Sequence, residues 1–218
     1  MKYQTQARNE RKYFDQSYLS ARRWSSYAIQ IREAMLAKPK KILEIGPGNN
    51  IVTENLKKLG YEVKTLDIDN RLGVDYIGSV TDKILLKELE GKFDLIIACE
   101  IFEHIKYSDF KEVLGLLKEV APKMIVSLPH TELNSRFIHF ALKFPLIKEF
   151  SFSTKIFYKK TKYEFNGEHY WEMGTVGHSI KKISHDIVET GWQIKKRFFN
   201  PDNPYHYFLI LEGKSYEN

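Results

Sequence analysis

The sequence predicts an α/β fold: a mostly parallel sheet with helices on both faces, a C-terminal antiparallel hairpin and an inserted cap. Three observations predict it. Between residues 41 and 128, short apolar runs alternate with helical stretches of about ten residues, the rhythm of strand–helix–strand units. The first run, Lys41-Ile-Leu-Glu-Ile45, enters a tight Gly46-Pro47-Gly48 turn, as a buried parallel strand does. The last two apolar segments are joined only by Asn200-Pro-Asp-Asn-Pro204, too short for a parallel crossover, so they must be antiparallel.

The elements follow in order. Residues 8–37 read as a helix, with Ile31, Met35 and Leu36 on its apolar side and Lys38-Pro39 ending it. The strand 41–45 is followed by a helix over 51–59, where Val52, Leu56 and Leu59 recur at helical spacing before Gly60. Strands are expected at 61–66, 75–77, 93–98 and 124–128, with helices at 81–89 and 109–120 between them. The pattern then breaks for about fifty residues, longer than a structureless loop inside a compact domain should be. Residues 130–176 therefore read as a cap with its own helix near 132–143. A helix at 180–189 and strands at 192–199 and 205–211 complete the chain, giving one domain with a helical lid (8–37), a core (41–129), the cap (130–176) and a C-terminal helix and hairpin (177–212).

Composition narrows the class. Of 218 residues, 43% are apolar, enough for a substantial core. No apolar run is long enough to span a bilayer, and the polar N-terminus is not a secretory signal. The single cysteine, Cys99, excludes a disulfide scaffold and a multi-thiolate zinc site, and makes a reducing cytoplasm the expected setting. The net charge of +6 permits nucleic-acid or anionic-membrane partners without requiring them.

The glycine turn is the chemical signal. Without side chains at Gly46 and Gly48, a ligand can approach the backbone, and Asp67 stands at the end of the second strand, where a carboxylate can accept both hydroxyls of a ribose. Dinucleotide binders use this geometry with a third glycine, but here Ile51 occupies that position and argues against close passage of a pyrophosphate.

The string Glu44-Ile45-Gly46-Pro47-Gly48-Asn49-Asn50 resembles motif I of the class I S-adenosylmethionine methyltransferases, and the resemblance continues over residues 41–128 and again over 178–211. It implies a Rossmann-like class I methyltransferase sheet that binds S-adenosylmethionine. By that resemblance Glu44 orders the methionine end of the cofactor, with Ile45, Gly46, Pro47 and Gly48 passing close to it. Asp67 holds the ribose, Ile68, Ser79 and Val80 meet the adenine, and Cys99 and Glu100 lie under the sulfonium. Asn50 replaces the commoner final glycine, and asparagine tolerates the left-handed backbone region better than most residues.

The expected activity is methyl transfer to a small-molecule acceptor, a sugar or lipid-linked intermediate. An RNA acceptor and a non-catalytic cofactor-binding module are the alternatives. A base is needed only for a protonated nucleophile, and the candidates are His104, after the fourth strand, His130, after the fifth, and His169, late in the cap. Glu100, Glu103 and His104, with His169 from the cap, also resemble the metal site of the small-RNA 3′-terminal 2′-O-methyltransferases. Two carboxylates and two imidazoles suit a divalent metal such as Mn²⁺, but the same string occurs in metal-free relatives, and the residues are read here without a metal. Residues 131–171 hold eleven aromatic residues, among them Phe137 and Phe140, and seven Lys or Arg, a composition that fits a substrate reader, a base-stacking surface or a lipid contact. Tyr18, Arg22, Arg23 and Trp24 are expected to wall the cofactor mouth, with Arg22 reaching the cofactor carboxylate.

Overall fold

The structure, a computed structural model, describes residues 3, 13–16, 18–144 and 147–213, leaving aside the side chains of 143–150. A seven-stranded sheet carries the fold. Its strands are β1 (Lys41–Ile45), β2 (Glu62–Asp67), β3 (Tyr76–Ile77), β4 (Leu95–Cys99), β5 (Lys123–Pro129), β8 (Trp192–Phe199) and β9 (His206–Gly213), in the order β3-β2-β1-β4-β5-β9-β8. The first five are parallel; β9 pairs antiparallel with both β5 and β8. Strand order reverses between β1 and β4, so a crevice opens above their carboxyl ends.

The sheet is apolar on both faces. Ile42, Val63, Leu95, Ile97 and Phe208 pack beneath α1 (Ala21–Ala37) and α2 (Ile51–Lys58). Leu43, Leu66, Ile96, Val126 and Leu209 face the other way, toward α3 (Lys83–Glu88), α4 (Tyr107–Val120) and α5 (Ile180–Glu189). Glu44 lies on the α2 side, and its buried carboxylate accepts the Thr53 hydroxyl. Among the described residues no helix is long and apolar enough to cross a membrane.

Two expectations need correction. The first helix begins only at Ala21: Ser20 caps it by accepting from the Arg23 amide, and Tyr13 and Phe14 form a short 3₁₀ turn instead. The remainder of the expected span 8–20, residues 8–12 and 17, lies outside the described residues. The helix expected near 132–143 is absent. In its place β6 (Ser135–Phe144) and β7 (Ile147–Phe157) form a separate antiparallel pair. Phe137, Phe140 and Phe144 fit a helical period, but Ile138, Phe140 and Leu142 equally fit the period of two. The aromatic and β-branched side chains then favour the strand.

The glycine turn is built as its residues demand. Gly46, Gly48 and Asn50 adopt φ of 69°, 55° and 58°, all left-handed. A Cβ on Gly46 would come within 2.0 Å of the Ile101 Cδ1 atom. Gly46→Ala is expected to cost about 1–2 kcal/mol from backbone strain and displacement of Ile101. That corresponds to a fall of roughly 2–8 °C in the melting temperature of a chain this long, readable by thermal unfolding. An unchanged midpoint would show that the turn relaxes.

Candidate functional site

The crevice above β1 and β4 is a cleft of about 390 Å³. Ile45, Gly46, Pro47, Gly48, Glu44, Asp67, Ile68, Ser79, Val80, Cys99 and Glu100 all line it, as do His104 and His169. Asn50 does not line it; it supplies the left-handed bend that starts α2. His130 does not line it either. It is buried against Phe157, Phe199 and Tyr207 at ring distances of 5.6, 5.0 and 6.1 Å, and this desolvation, with Lys155 nearby, pushes its pKa down to about 3. A neutral, caged ring is suited to packing rather than proton exchange.

The floor beneath the glycine turn is acidic and dry. Burial raises Glu44 to about 7 against the lowering donation from Thr53 and the charge of Lys57. Asp67 is also raised by burial; its Oδ1 accepts the Asp69 amide at 2.8 Å, while its Oδ2 lies beside Gly46. Tyr13, Tyr18 and Tyr27 form an aromatic wall facing these groups, and Arg23 stacks over the Tyr18 ring at 3.9 Å. Here the expected arginine is displaced by one position: Arg22 is exposed and Arg23 lines the cleft.

At the other end the cleft gathers carboxylates and imidazoles. Glu100 holds the rare left-handed φ of 58°, accepts the Ser127 hydroxyl at 2.8 Å and lies 3.7 Å from His206. Burial raises its pKa to about 7 despite that hydrogen bond and the charge of Arg23. Glu103 is fully buried, neither carboxyl oxygen has a hydrogen-bond partner among the described residues, and burial together with Glu100 holds it well above the usual carboxylate range. His104 Nδ1 donates to the Glu168 carbonyl at 3.1 Å, and the rings of His104 and His169 are 4.9 Å apart. His169 Nδ1 meets Glu172 Oε1 at 3.2 Å, and the same oxygen accepts the Tyr205 hydroxyl at 2.6 Å. In both rings Nδ1 turns to an oxygen, and the His104 Nε2 atom lies 3.8 Å from Glu103 Oε1.

Ligand atoms of Glu103, His104 and His169 all lie within 4.8 Å of one another. A buried carboxyl and two imidazoles at this spacing fit a divalent cation of borderline softness. Glu172, Tyr205 and His206 were not anticipated from the sequence. The signal that would have found Tyr205 and His206 is topological: an antiparallel β9 (His206–Gly213) brings the start of the strand to the edge where the parallel strands end.

Comparison with known proteins bears on the family and the fold. A protein-family profile described as a methyltransferase domain matches residues 18–153. No curated protein sequence matches the chain. Among solved structures, the chain is similar to the 1,6-didemethyltoxoflavin-N1-methyltransferase of Burkholderia thailandensis, with a TM-score of 0.59 at 14% identity, covering 94% of this chain and 83% of that one. It is also similar to an S-adenosylmethionine-dependent methyltransferase from Clostridium acetobutylicum, with a TM-score of 0.56 at 11% identity over 94% and 96% of the two chains. A third is the methyltransferase domain of bacterial CtHen1-CN, with a TM-score of 0.58 at 14% identity over 88% and 99%.

Proposed function

The chain belongs to the methyltransferase-domain family, and from that premise we propose that it moves a methyl group from S-adenosylmethionine to a small hydroxyl-bearing acceptor, a sugar or lipid-linked intermediate. One observation carries the reading: a single cleft joins Glu44, Gly46, Gly48 and Asp67, the residues this reading assigns to the ribose and methionine of the donor, to Glu100, Glu103, His104 and His169.

The chemistry is a displacement at carbon. The acceptor oxygen attacks the methyl carbon, the carbon–sulfur bond breaks, and S-adenosylhomocysteine leaves as a neutral thioether. The acceptor proton passes to an imidazole Nε2, His104 or His169, held in the accepting tautomer by the Nδ1 contacts described above. Alignment and exclusion of water supply most of the remaining acceleration.

A second reading rests on Glu103, His104 and His169. These residues would hold a divalent cation, which when bound would polarise the acceptor hydroxyl and lower its pKa. In that case the imidazoles serve as ligands rather than bases, and Glu172 orients His169 from behind.

The donor half has a pH signature. Glu44 titrates near 7 in the ligand-free protein, and only its ionised form attracts the cationic amino end of the donor. Each pH unit below about 7 is therefore expected to weaken S-adenosylmethionine binding by up to about tenfold. Glu44→Gln should flatten that slope. Calorimetric titration across this range checks it, and a wild-type protein with no S-adenosylmethionine affinity at any pH would defeat the proposed function as a whole.

A further inference from the structure

The hairpin of β6 and β7 has an unusual outer face. Directly opposed residues share a face in an antiparallel pair, and here Phe140 opposes Phe152, Ile138 opposes Thr154 and Arg136 opposes Ile156. Ile138, Phe140, Leu142, Phe152 and Ile156 are 45%, 50%, 40%, 55% and 55% exposed. A two-stranded sheet packed on one side ordinarily turns polar side chains to water on the other. The other side is packed at its base, where Phe137 meets Phe199 at 5.6 Å, Phe157 meets His130, and Lys155 Nζ donates to the His130 carbonyl at 2.7 Å; further out it carries the exposed His139, Ala141 and Ser151.

Positive charge is concentrated in the same stretch of chain, although Lys155 turns to the packed side. Residues 133–162 contain seven Lys or Arg and one acid, Glu149, a net +6 equal to that of the whole chain, so the remaining residues balance. Lys159 and Lys160 follow the hairpin directly and are exposed, and Lys162 is exposed two positions on.

We propose that this hairpin docks the protein on an anionic lipid bilayer, its apolar face seated at the headgroup–acyl boundary and its lysines on the lipid phosphates. The charge argues for this occupant. A second copy of the chain would bring two strongly cationic hairpins together, whereas an anionic membrane attracts each of them. Aliphatic side chains among the aromatics suit hydrocarbon better than stacked bases, which need π-faces. The unpaired strand edges keep the hairpin at interfacial depth, because hydrocarbon cannot satisfy their backbone groups. The hairpin leaves the sheet at the carboxyl end of β5, and the His130 amide there donates to the carbonyl of Tyr205, a residue that lines the cleft. Docking would thus place the cleft beside the membrane surface, where a lipid-linked molecule resides.

The test is co-sedimentation of the full chain with vesicles of phosphatidylcholine plus phosphatidylglycerol, against phosphatidylcholine alone. Binding to the anionic vesicles, weakened by salt, is expected. Phe140→Ser with Phe152→Ser should lower it at least about tenfold, because both side chains lose their apolar contact. Lys159→Ala with Lys160→Ala should reduce the preference for anionic vesicles. These positions are exposed, so retained S-adenosylmethionine binding certifies the fold of each variant and separates this result from the fate of the proposed activity. The proposal is overturned if wild type fails to sediment with anionic vesicles, or if the serine variant binds them as well as wild type does. It is equally overturned if the face instead mediates a concentration-dependent dimer or salt-sensitive RNA binding without lipid affinity.

Discussion

Asp67→Ala is expected to weaken S-adenosylmethionine binding by about a hundredfold. The carboxylate stands at the end of β2, at the mouth of the crevice, and its two oxygens have separate tasks. Oδ1 accepts the Asp69 amide, which fixes the rotamer, and Oδ2 lies beside Gly46 and faces the cleft. A ribose placed there donates two hydroxyls to a partly desolvated anion. Hydrogen bonds to a charged group contribute about 1.5–3 kcal/mol each, and water partly replaces them when the carboxylate is removed. A net loss of about 3 kcal/mol is therefore expected, close to two decades in Kd. Asp67→Asn keeps one acceptor and the turn geometry, so it should lie between, at roughly tenfold. Because burial already raises the Asp67 pKa, the donor hydroxyls should also favour its ionised form. Calorimetry with both variants checks the ordering. A Kd for Asp67→Ala within about twofold of wild type would place the ribose elsewhere, since even one lost hydrogen bond exceeds that change.

How far the sequence disclosed this site depends on what fixes each residue. The glycine-turn end of the cleft is legible because backbone geometry dictates it: a left-handed turn favours Gly46 and Gly48 and tolerates Asn50, and the period of the flanking runs fixes the strands. Asp67 follows by counting to the next strand end. The first helix was less legible. A shift of one residue on a helix turns a side chain by about 100°, so choosing between Arg22 and Arg23 requires knowing which face α1 buries. The structure answers with Ser26, Gln30 and Glu33 inward. The hairpin is not legible locally because Phe140 belongs to both candidate periods, and only pairing with β7, ten or more residues away, selects the strand. His130 was placed at the right edge of the sheet, but the aromatic residues enclosing it come from β7, β8 and β9, and no local pattern announces them.

Replacing Glu103 by Leu should produce opposite effects on stability and activity. Glu103 is a buried carboxyl with no hydrogen-bond partner on either oxygen among the described residues, an arrangement that costs folding free energy. An apolar side chain of similar length removes that cost, and a gain of about 1–2 kcal/mol is expected, or roughly 2–8 °C in melting temperature. The sign with pH follows from linkage. Unfolded, the carboxyl is ionised above its ordinary value; folded, burial and Glu100 keep it protonated to much higher pH. The native state thus binds the extra proton, so wild-type stability falls as pH rises above about 4.5, and the variant's advantage should widen in the same direction. Activity should move the other way. Loss of the carboxyl whose Oε1 lies 3.8 Å from His104 Nε2 is expected to lower kcat by about a hundredfold or more, while S-adenosylmethionine affinity, set in the other half of the cleft, stays within about twofold. The two mechanisms then separate on one further measurement. If Glu103, His104 and His169 hold a cation, Mn²⁺ should raise the melting temperature of wild type and leave Glu103→Leu unmoved, because a ligand stabilises only the state that binds it. If His104 or His169 acts as a base, Mn²⁺ should move neither protein, and the loss of kcat should appear with a changed pH profile. A Glu103→Leu protein that is both less stable and fully active would show that the buried carboxyl belongs to the packing of the short turn after β4, and would leave neither mechanism standing on this residue.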